Sequence, residues 1–217
     1  MLASFAARED IHSATASAVF GVPLGEVTPN QRRIAKVVNF GIIYGMGEFG
    51  LARDTGLPRQ EAGKFIGEYM ARYPGVRRYI EQTKLEGATL GYVQTLLNRR
   101  RYLPELRSPM REVRAAAERA AINMPVQGTA ADVIKLAMIR LHHDLPEHGF
   151  HAHMLLQVHD ELVFEAPDEE LPSLAALVRD RMMHAMRLSV PLEVEVKAGK
   201  NWEVMRPIVV EEAAQAS

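Results

Sequence analysis

Apolar residues recur every three or four positions from the N-terminus to about residue 122. This is the period of an amphipathic α-helix, so the first half of the chain is predicted to consist of helices and loops. Turn-forming glycine and proline residues interrupt the pattern at Gly21-Val22-Pro23, Gly56-Leu57-Pro58 and Tyr73-Pro74-Gly75. An Ala-rich helix is predicted over residues 110–122, with a break near Pro125, and a further helix from about Thr129 to Leu145.

The pattern changes after about residue 150. Two short apolar runs, residues 154–158 and 162–166, meet at His159-Asp160-Glu161, which predicts a tight β-hairpin although the usual Asn-Gly turn signal is absent. A helix is predicted over residues 172–187, and alternating Leu, Glu and Val over residues 192–196 predict one further, half-buried strand. The chain is therefore predicted to be an α+β protein, with a frayed tail at residues 211–217.

The composition, 47% hydrophobic and 24% charged among 217 residues, is that of a globular protein with enough apolar side chains for one large domain or two small ones. Because the sequence has no cysteine, disulfide bonds and thiolate zinc sites are excluded, and nothing indicates an oxidising compartment. The N-terminus lacks a secretion signal, and no apolar run approaches the roughly 20 residues that span a bilayer. A cytoplasmic protein with no membrane partner is expected.

The net charge of −1 does not indicate nucleic-acid binding, so any contact with DNA has to be local. Arginine outnumbers acidic residues between Tyr92 and Arg119, and the densest cluster is Arg99-Arg100-Arg101-Tyr102. Such a cluster suits backbone phosphates, although a solvated loop has the same composition. Arg99 and Arg100 are therefore candidate DNA-binding residues.

One predicted helix has clear start signals and a distinctive face. Thr28 is a favourable N-cap, Pro29 suits the first helical position and Gln31 completes a capping box, so a helix is predicted from there to Tyr44, before Gly45. One face of this helix is formed by four residues spaced four apart, Arg32, Lys36, Phe40 and Tyr44. The face is about 18 Å long at ~1.5 Å per residue, with cations nearest the N-terminus. The cations suit a triphosphate, and the aromatic rings suit a sugar or base. The alternative is an ordinary amphipathic helix, in which the rings enter the core and the cations stay in solvent.

The spacing Arg-x-x-x-Lys-x-x-x-Phe-x-x-x-Tyr-Gly resembles the fingers helix, motif B, of bacterial family A DNA polymerases of the DNA polymerase I type. The resemblance implies that Arg32 and Lys36 hold the phosphates of an incoming dNTP, that Phe40 packs beside its sugar, and that Tyr44 lies beside the template base. Phe rather than Tyr at position 40 implies discrimination against dideoxynucleotides. The segment Asp10-Ile11-His12, followed by Thr15-Ala16, also resembles the family, which implies that His12 contacts the triphosphate.

A second motif lies at the predicted hairpin. Gln157-Val158-His159-Asp160-Glu161 could be a plain polar turn, but a hairpin apex also holds a carboxylate in a fixed place for a divalent ion. With its apolar flanks the string resembles motif C of the same family. The resemblance implies that Asp160 is a metal ligand, that Glu161 is an auxiliary acid, and that Gln157 and His159 contact the primer end. It also implies two Mg²⁺ ions as cofactors, with Asp160, Glu161 and Lys36 as the catalytic residues.

Residues 118–132 are also close to the family pattern, which implies that Arg119, Asn123 and Gln127 line the duplex and the template strand. The implied architecture is a mainly helical, fingers-like part over residues 1–115, followed by a partial palm over residues 116–210. The implied partners are primer-template DNA and dNTPs, in the cytoplasm at the nucleoid.

In the family, a strand called motif A carries an Asp that shares both metal ions with the motif C Asp. Its pattern, close to Asp-Tyr-Ser-x-Ile-Glu-Leu-Arg, does not occur in this sequence. The chain alone is therefore expected to be inactive or nearly so, and another chain that supplies motif A and the thumb is a candidate partner. A truncated polymerase that binds DNA and nucleotide without catalysis is the alternative.

Two other classes have weaker support. Residues 45–50 fit Gly-x-Gly-x-x-Gly, as in dinucleotide-binding oxidoreductases, but that motif needs a strand before it and a long helix after it, whereas Gly56 and Pro58 follow closely. A metal-binding module would use the five histidines of one segment, His142, His143, His148, His151 and His153. No carboxylate or cysteine accompanies these histidines at an established zinc spacing.

Overall fold

The structure, a computed structural model, describes residues 2–210, and the predicted tail at residues 211–217 lies outside them. Its contacts define two compact units, the first ending at Thr129 and the second beginning at Ala130. The helices are α1 (Leu2–Ala6), α2 (Ile11–Phe20), α3 (Pro29–Ile43), α4 (Glu48–Thr55), α5 (Arg59–Arg72), α6 (Pro74–Leu90), α7 (Arg111–Glu147) and α8 (Leu171–Met183). The strands are β1 (Tyr92–Gln94), β2 (Arg100–Tyr102), β3 (His153–Val158), β4 (Glu161–Glu165), β5 (Lys197–Ala198) and β6 (Arg206–Pro207).

The α+β class is confirmed, with a mainly helical first unit and small antiparallel pairs of strands. The boundary predicted between residues 115 and 116 refers to the fingers and palm of the resemblance, and it stays a prediction.

The main core of the first unit forms where α3, α4 and α5 pack together. Helix α3 contributes Ile34, Val38 and Ile42, which recur every fourth residue and therefore share one face. Helix α5 contributes Phe65 and Tyr69, both at most 6% exposed. Burial of this apolar face fixes the direction in which the opposite face of α3 points.

A short hairpin interrupts the helices, which the sequence pattern did not predict. Strands β1 and β2 are antiparallel, with Tyr92 opposite Tyr102. Strands of three residues contain too few positions for a period of two to be recognised. Val93 of β1 belongs to a second core cluster together with Leu103, Leu106, Ala117, Ala121 and Met124.

The predicted break near Pro125 is wrong, because α7 continues through it as one helix of 37 residues. Proline removes the hydrogen bond to the carbonyl four residues earlier and costs about 3 kcal/mol in a helix interior. Packing of Ala117, Ala121 and Met124 in the second cluster opposes that cost. The hydroxyl of Tyr79 also donates a 2.7 Å hydrogen bond to the carbonyl oxygen of Ile122, beside the proline.

The predicted hairpin of the second unit is confirmed, since β3 and β4 pair antiparallel with Val158 opposite Glu161. The core of this unit contains Leu141, Leu145, Ala152, Leu174 and Val178. Helix α8 ends at Met183 rather than at the predicted residue 187. At that end Ala185 is fully buried, and the carbonyl oxygen of His184 accepts a 2.6 Å hydrogen bond from Arg140. These contacts fix the chain outside the helix.

The strand predicted over residues 192–196 is wrong. The side chains there alternate between exposed and half-buried, as the pattern indicates, but no ladder forms at these positions. Pairing begins at Lys197, which lies opposite Pro207. Alternation decides which side chains face solvent, whereas a strand also needs a neighbouring backbone with which to exchange hydrogen bonds.

Candidate functional site

Helix α3 forms as its start signals predict. The side chain of Thr28 accepts from the backbone N–H of Gln31, the side chain of Gln31 accepts from the N–H of Thr28, and Pro29 is the first helical residue. At the other end Tyr44 is the C-cap, and Gly45 adopts a left-handed backbone with φ of 75°. A Cβ at Gly45 would lie 2.9 Å from Cγ of Arg119. Glycine is therefore required there for both conformation and space.

The predicted nucleotide-binding face of α3 is exposed to solvent. Phe40 is 50% and Tyr44 38% exposed, and Arg32 and Lys36 are exposed as well. The alternative in which both rings enter the core is therefore wrong, because the core uses the face that contains Ile34, Val38 and Ile42. Two cations and two exposed aromatic rings on one helix face form a surface that suits a ligand with both charged and planar parts.

A groove of about 760 Å³ runs along this face. Its lining includes the cationic side chains of Arg33, Lys36, Arg53 and Arg119 together with the rings of Phe40 and Tyr44. None of the described lining residues is acidic. The groove thus combines positive charge with apolar surface, and it brings Arg119, predicted to contact DNA, beside the predicted nucleotide residues.

His12 of α2 lies against this face of α3. Its ring centroid is 5.6 Å from that of Phe40, with the planes inclined by 52°. Partial burial lowers the pKa of His12 below the ordinary value of 6.5, and the charges of Arg32 and Lys36 lower it further, while Asp10 opposes them. The lowered pKa favours the neutral imidazole at pH 7.

Arg32 is held by an acid. Its Nε donates a 2.6 Å hydrogen bond to Oδ2 of Asp10, and this bond is the main reason why the pKa of Asp10 falls to about 2. The contact uses one nitrogen of the guanidinium and leaves the terminal Nη1 and Nη2 without a partner among the described residues. Lys36 has no ion-pair partner within the part of the chain that the structure describes. Both cations are therefore available to bind a phosphate.

The remaining predicted DNA-binding residues of the first unit are Arg99, just before β2, Arg100 at the start of β2, and residues of α7. Arg100 and Arg99 are exposed, and the Arg100 guanidinium lies 4.5 Å from the centroid of the Tyr92 ring. Gln127 is exposed on α7, whereas Asn123 is half-buried and its Oδ1 is buried without a hydrogen-bond partner within residues 2–210. A buried acceptor without a partner is costly unless something else satisfies it.

In the second unit, Asp160 lies in the two-residue turn between β3 and β4, at the apex of the hairpin. His159 precedes it with a left-handed φ of 54°, a conformation that histidine tolerates better than most residues, which explains a tight turn without Asn-Gly. Nε2 of Gln157 donates a 2.9 Å hydrogen bond to the carbonyl oxygen of His159 and so braces the turn. Asp160 and Glu161 are both exposed.

The hairpin offers hard oxygen donors, as a divalent ion requires, but it supplies them from two adjacent residues only. Within residues 2–210, no three His, Asp or Glu side chains are grouped as a metal site. The histidines of residues 142–153 form no such group either. The oxidoreductase interpretation is wrong, because the residues before Gly45 form α3 instead of a strand. No described helix is both long and apolar enough to cross a membrane.

Two residues near the site were missed as site residues by sequence reasoning. Asp10 precedes α2 and caps it, a signal that was readable as an N-cap. Asn39 is a polar residue among the buried positions of α3, and a polar side chain inside an apolar stripe was the available signal.

Comparison with known proteins assigns the family. The sequence model of DNA polymerase family A matches residues 1–204, so the chain belongs to DNA polymerase family A. The chain is 53% identical over 194 residues to a thermostable DNA polymerase I of Thermus thermophilus, covering 89% of this chain and 23% of the relative. It is 48% identical over 202 residues to DNA polymerase I of Caldicellulosiruptor bescii, covering 93% of this chain and 24% of the relative. Members of the family generally use divalent metal ions.

A solved structure supports the fold. The POL domain of Pol1 from M. smegmatis, in complex with DNA primer-template and dNTP, matches with a TM-score of 0.84 and 46% identity. The match covers 88% of this chain and 34% of that chain. The chain thus spans about a quarter of the curated relatives and a third of the solved one.

Proposed function

We propose that this chain is the nucleotide-binding part of a DNA-directed DNA polymerase that adds dNTPs to a primer 3′ end in DNA replication or repair. The observation that carries the proposal is the solvent-exposed face of α3 with its two cations and two rings. The family and the dNTP present in the M. smegmatis complex support it. DNA as the template would place the protein at the nucleoid in the cytoplasm.

The roles proposed for the face follow from its chemistry. Arg32 and Lys36 bind the triphosphate near the positive end of the α3 dipole, and His12 donates a hydrogen bond to it. Phe40 packs beside the sugar, and Tyr44 lies at the end of the helix beside the template base. The pair with Asp10 orients Arg32, so that its terminal nitrogens remain for phosphate oxygens.

DNA contacts are proposed for two arginines, one just before β2 and one at its start, and for three residues of α7. Arg99 and Arg100 neutralise backbone phosphates. Arg119, Asn123 and Gln127 line the duplex and the template strand. In the second unit, Gln157 and His159 contact the primer end.

The proposed reaction is an in-line displacement. The primer 3′ oxygen forms a bond to the α-phosphorus, the bond to the β-phosphate oxygen breaks, pyrophosphate leaves and the hydroxyl proton passes to water. Two Mg²⁺ ions would neutralise the attacking and leaving oxygens. Asp160 supplies one ligand carboxylate, with Glu161 beside it as an auxiliary acid. Because the 217 residues contain no motif A, we propose that this polypeptide alone does not extend a primer and that another segment or chain supplies that Asp and the thumb.

The nucleotide role is tested with Lys36→Ala. Loss of a charge-assisted contact to a phosphate should weaken binding of dATP about tenfold or more, while binding of primer-template DNA changes little. Equilibrium titration measures both. Lys64→Ala is the matched control, since Lys64 is an exposed lysine of α5 that pairs with Glu68 at 3.7 Å. A larger loss for DNA than for dATP, or an equal loss in the control, would refute the assignment of α3.

The chemistry is tested by primer extension with and without a polypeptide that carries the motif A strand and thumb. The chain alone should give no extension, and the mixture should give extension that Asp160→Ala abolishes and Asp168→Ala does not. Robust extension by the chain alone would overturn the claim of inactivity. Failure of every mixture to extend, with dATP still bound, would favour the alternative of a non-catalytic binding protein.

A further inference from the structure

A buried polar pair lies beside Nδ1 of the His12 ring. Asn39 of α3 is 5% exposed and Thr15 of α2 is 1% exposed, within the contact between these two helices. Oγ1 of Thr15 donates a 3.1 Å hydrogen bond to Oδ1 of Asn39. Nδ2 of Asn39 is 3.1 Å from Nδ1 of His12. A buried amide is costly unless its polar groups are paired. The contacts with Thr15 and His12 pair both ends of the Asn39 amide.

The chemistry of the three groups sets the position of the histidine proton. The hydroxyl of Thr15 donates to the amide oxygen, so the amide presents its N–H₂ to the ring. An N–H₂ group can only donate, and Nδ1 of His12 must therefore be the acceptor. In a neutral imidazole the proton is then on Nε2. Partial burial, which lowers the pKa of His12, favours the neutral ring.

We propose that Asn39 is a positioning residue of the nucleotide site, which holds His12 as the Nε2–H tautomer so that this N–H donates to a triphosphate oxygen. The claim about the ligand rests on the function proposed above, whereas the claim about the tautomer does not. Nε2 has no hydrogen-bond partner among residues 2–210, and the Phe40 ring at 5.6 Å restrains the plane of the imidazole.

The tautomer matters because His12 and the two cations would bind the triphosphate in different ways. Arg32 and Lys36 supply positive charge, which attracts a triphosphate from many directions. A neutral N–H adds one directional hydrogen bond. The opposite tautomer would turn a lone pair toward a phosphate oxygen and lose that bond, with a loss of affinity of about tenfold.

The tautomer is tested by NMR of the full chain labelled with ¹⁵N in its histidine rings. His12→Gln identifies the His12 signals by their disappearance. At pH 7.5 or above, about one unit over the ordinary histidine pKa, the wild type should show a bare Nδ1 and a protonated Nε2. In Asn39→Asp the carboxylate can only accept, so Nδ1 should gain a proton. A protonated Nδ1 in the wild type, or unchanged signals in Asn39→Asp, would overturn the proposal.

The consequence for the ligand is tested by titration with dATP. Asn39→Asp should weaken binding about tenfold, but it should add little in the His12→Gln background, because its effect acts through His12. An equal loss in both backgrounds would assign Asn39 a merely structural role. If the wild type does not bind dATP, the proposed function fails while the NMR result still decides the tautomer.

Thr15→Val is the second variant, in case Asn39→Asp does not fold. It removes the donor to Oδ1 and leaves the amide free to turn over. The His12 ring should then show a mixture of tautomers. The affinity of this variant for dATP should lie between those of the wild type and Asn39→Asp. A ring that stays entirely in the Nε2–H form would show that the Thr15–Asn39 pair does not set the proton position.

Discussion

Asp10 joins α2 and α3 through a single carboxylate. Oδ1 accepts from the backbone N–H groups of His12 and Ser13 at 2.9 and 3.4 Å, which caps α2. Oδ2 accepts from Nε of Arg32 at 2.6 Å. The helix that carries His12 and the side chain of Arg32 are thereby fixed relative to each other, although neither contact is with a ligand.

The stability contributed by Asp10 should depend on pH. The folded-state pKa is about 2, below the ordinary 3.8, so the stabilisation is complete above about pH 4 and is lost as the pH falls toward 2. Asp10→Ala should lower the free energy of unfolding by about 1 kcal/mol at pH 7, the usual effect of losing an N-cap, and by much less at pH 2. The ion pair with Arg32 adds little to this, because both side chains are more than 40% exposed.

Urea denaturation of the full chain at the two pH values measures this difference. Glu9→Ala is the control, since it removes the neighbouring acid without removing the cap. An equal destabilisation by Asp10→Ala at pH 2 and pH 7 would contradict the assignment of the effect to the ionised carboxylate.

At the scale of elements, α7 shows packing overriding local preference. Its sequence contains Pro125, and the chain on either side has the periodicity of two separate helices. The second core cluster and the hydroxyl of Tyr79 nevertheless hold residues 117–124 in one helical path. The proline therefore lowers the stability of the helix, and its replacement should raise that stability.

Pro125→Ala should therefore stabilise the chain, by about 1 kcal/mol or more, because alanine restores an N–H and removes the ring clash. Chemical denaturation measures the gain. Pro172→Ala is the matched control, since Pro172 lies in the first turn of α8, where the N–H has no helical partner, and no gain is expected there. A loss of stability in Pro125→Ala would show that the helix depends on the proline.

At the scale of the whole molecule, charge is distributed unevenly. The net charge is −1, yet four cations and no described acid line the groove along α3, and exposed arginines occupy β2. Attraction of the proposed ligands, DNA and nucleotide, would then depend on local fields, which salt screens over about 10 Å at 0.1 M. The overall charge of the chain gives no guide to its partners.

Arg100→Ala should reduce the salt dependence of primer-template binding. Loss of one phosphate contact should lower the slope of log affinity against log salt concentration by about 0.9. Fluorescence anisotropy at several salt concentrations measures the slope. Arg77→Ala is the control, because it removes the same formal charge from α6, where Arg77 pairs with Glu81 at 2.9 Å. Equal slopes for Arg100→Ala and the wild type would remove Arg100 from the DNA contacts.

The elements that the sequence predicted well depend on contacts between near neighbours. The cap of α3 at Thr28, its end before Gly45 and the hairpin apex at Asp160 involve hydrogen bonds within a few residues. The motif spacing also identified the family. Two predictions failed, the break at Pro125 and the strand at 192–196. In both segments the structure depends on packing or hydrogen-bond partners that are distant in the sequence.

The sequence by itself thus determined the α+β class, the family, and the order of residues along the α3 face, because a helix repeats every 3.6 residues whatever surrounds it. Only the tertiary structure decided which face of α3 is buried, and hence that Phe40 and Tyr44 are exposed. It alone joined Asn39 to His12, 27 positions away, and Asp10 to Arg32, 22 positions away. Such contacts depend on how the helices pack against each other, since local backbone preferences do not bring residues this far apart in sequence together.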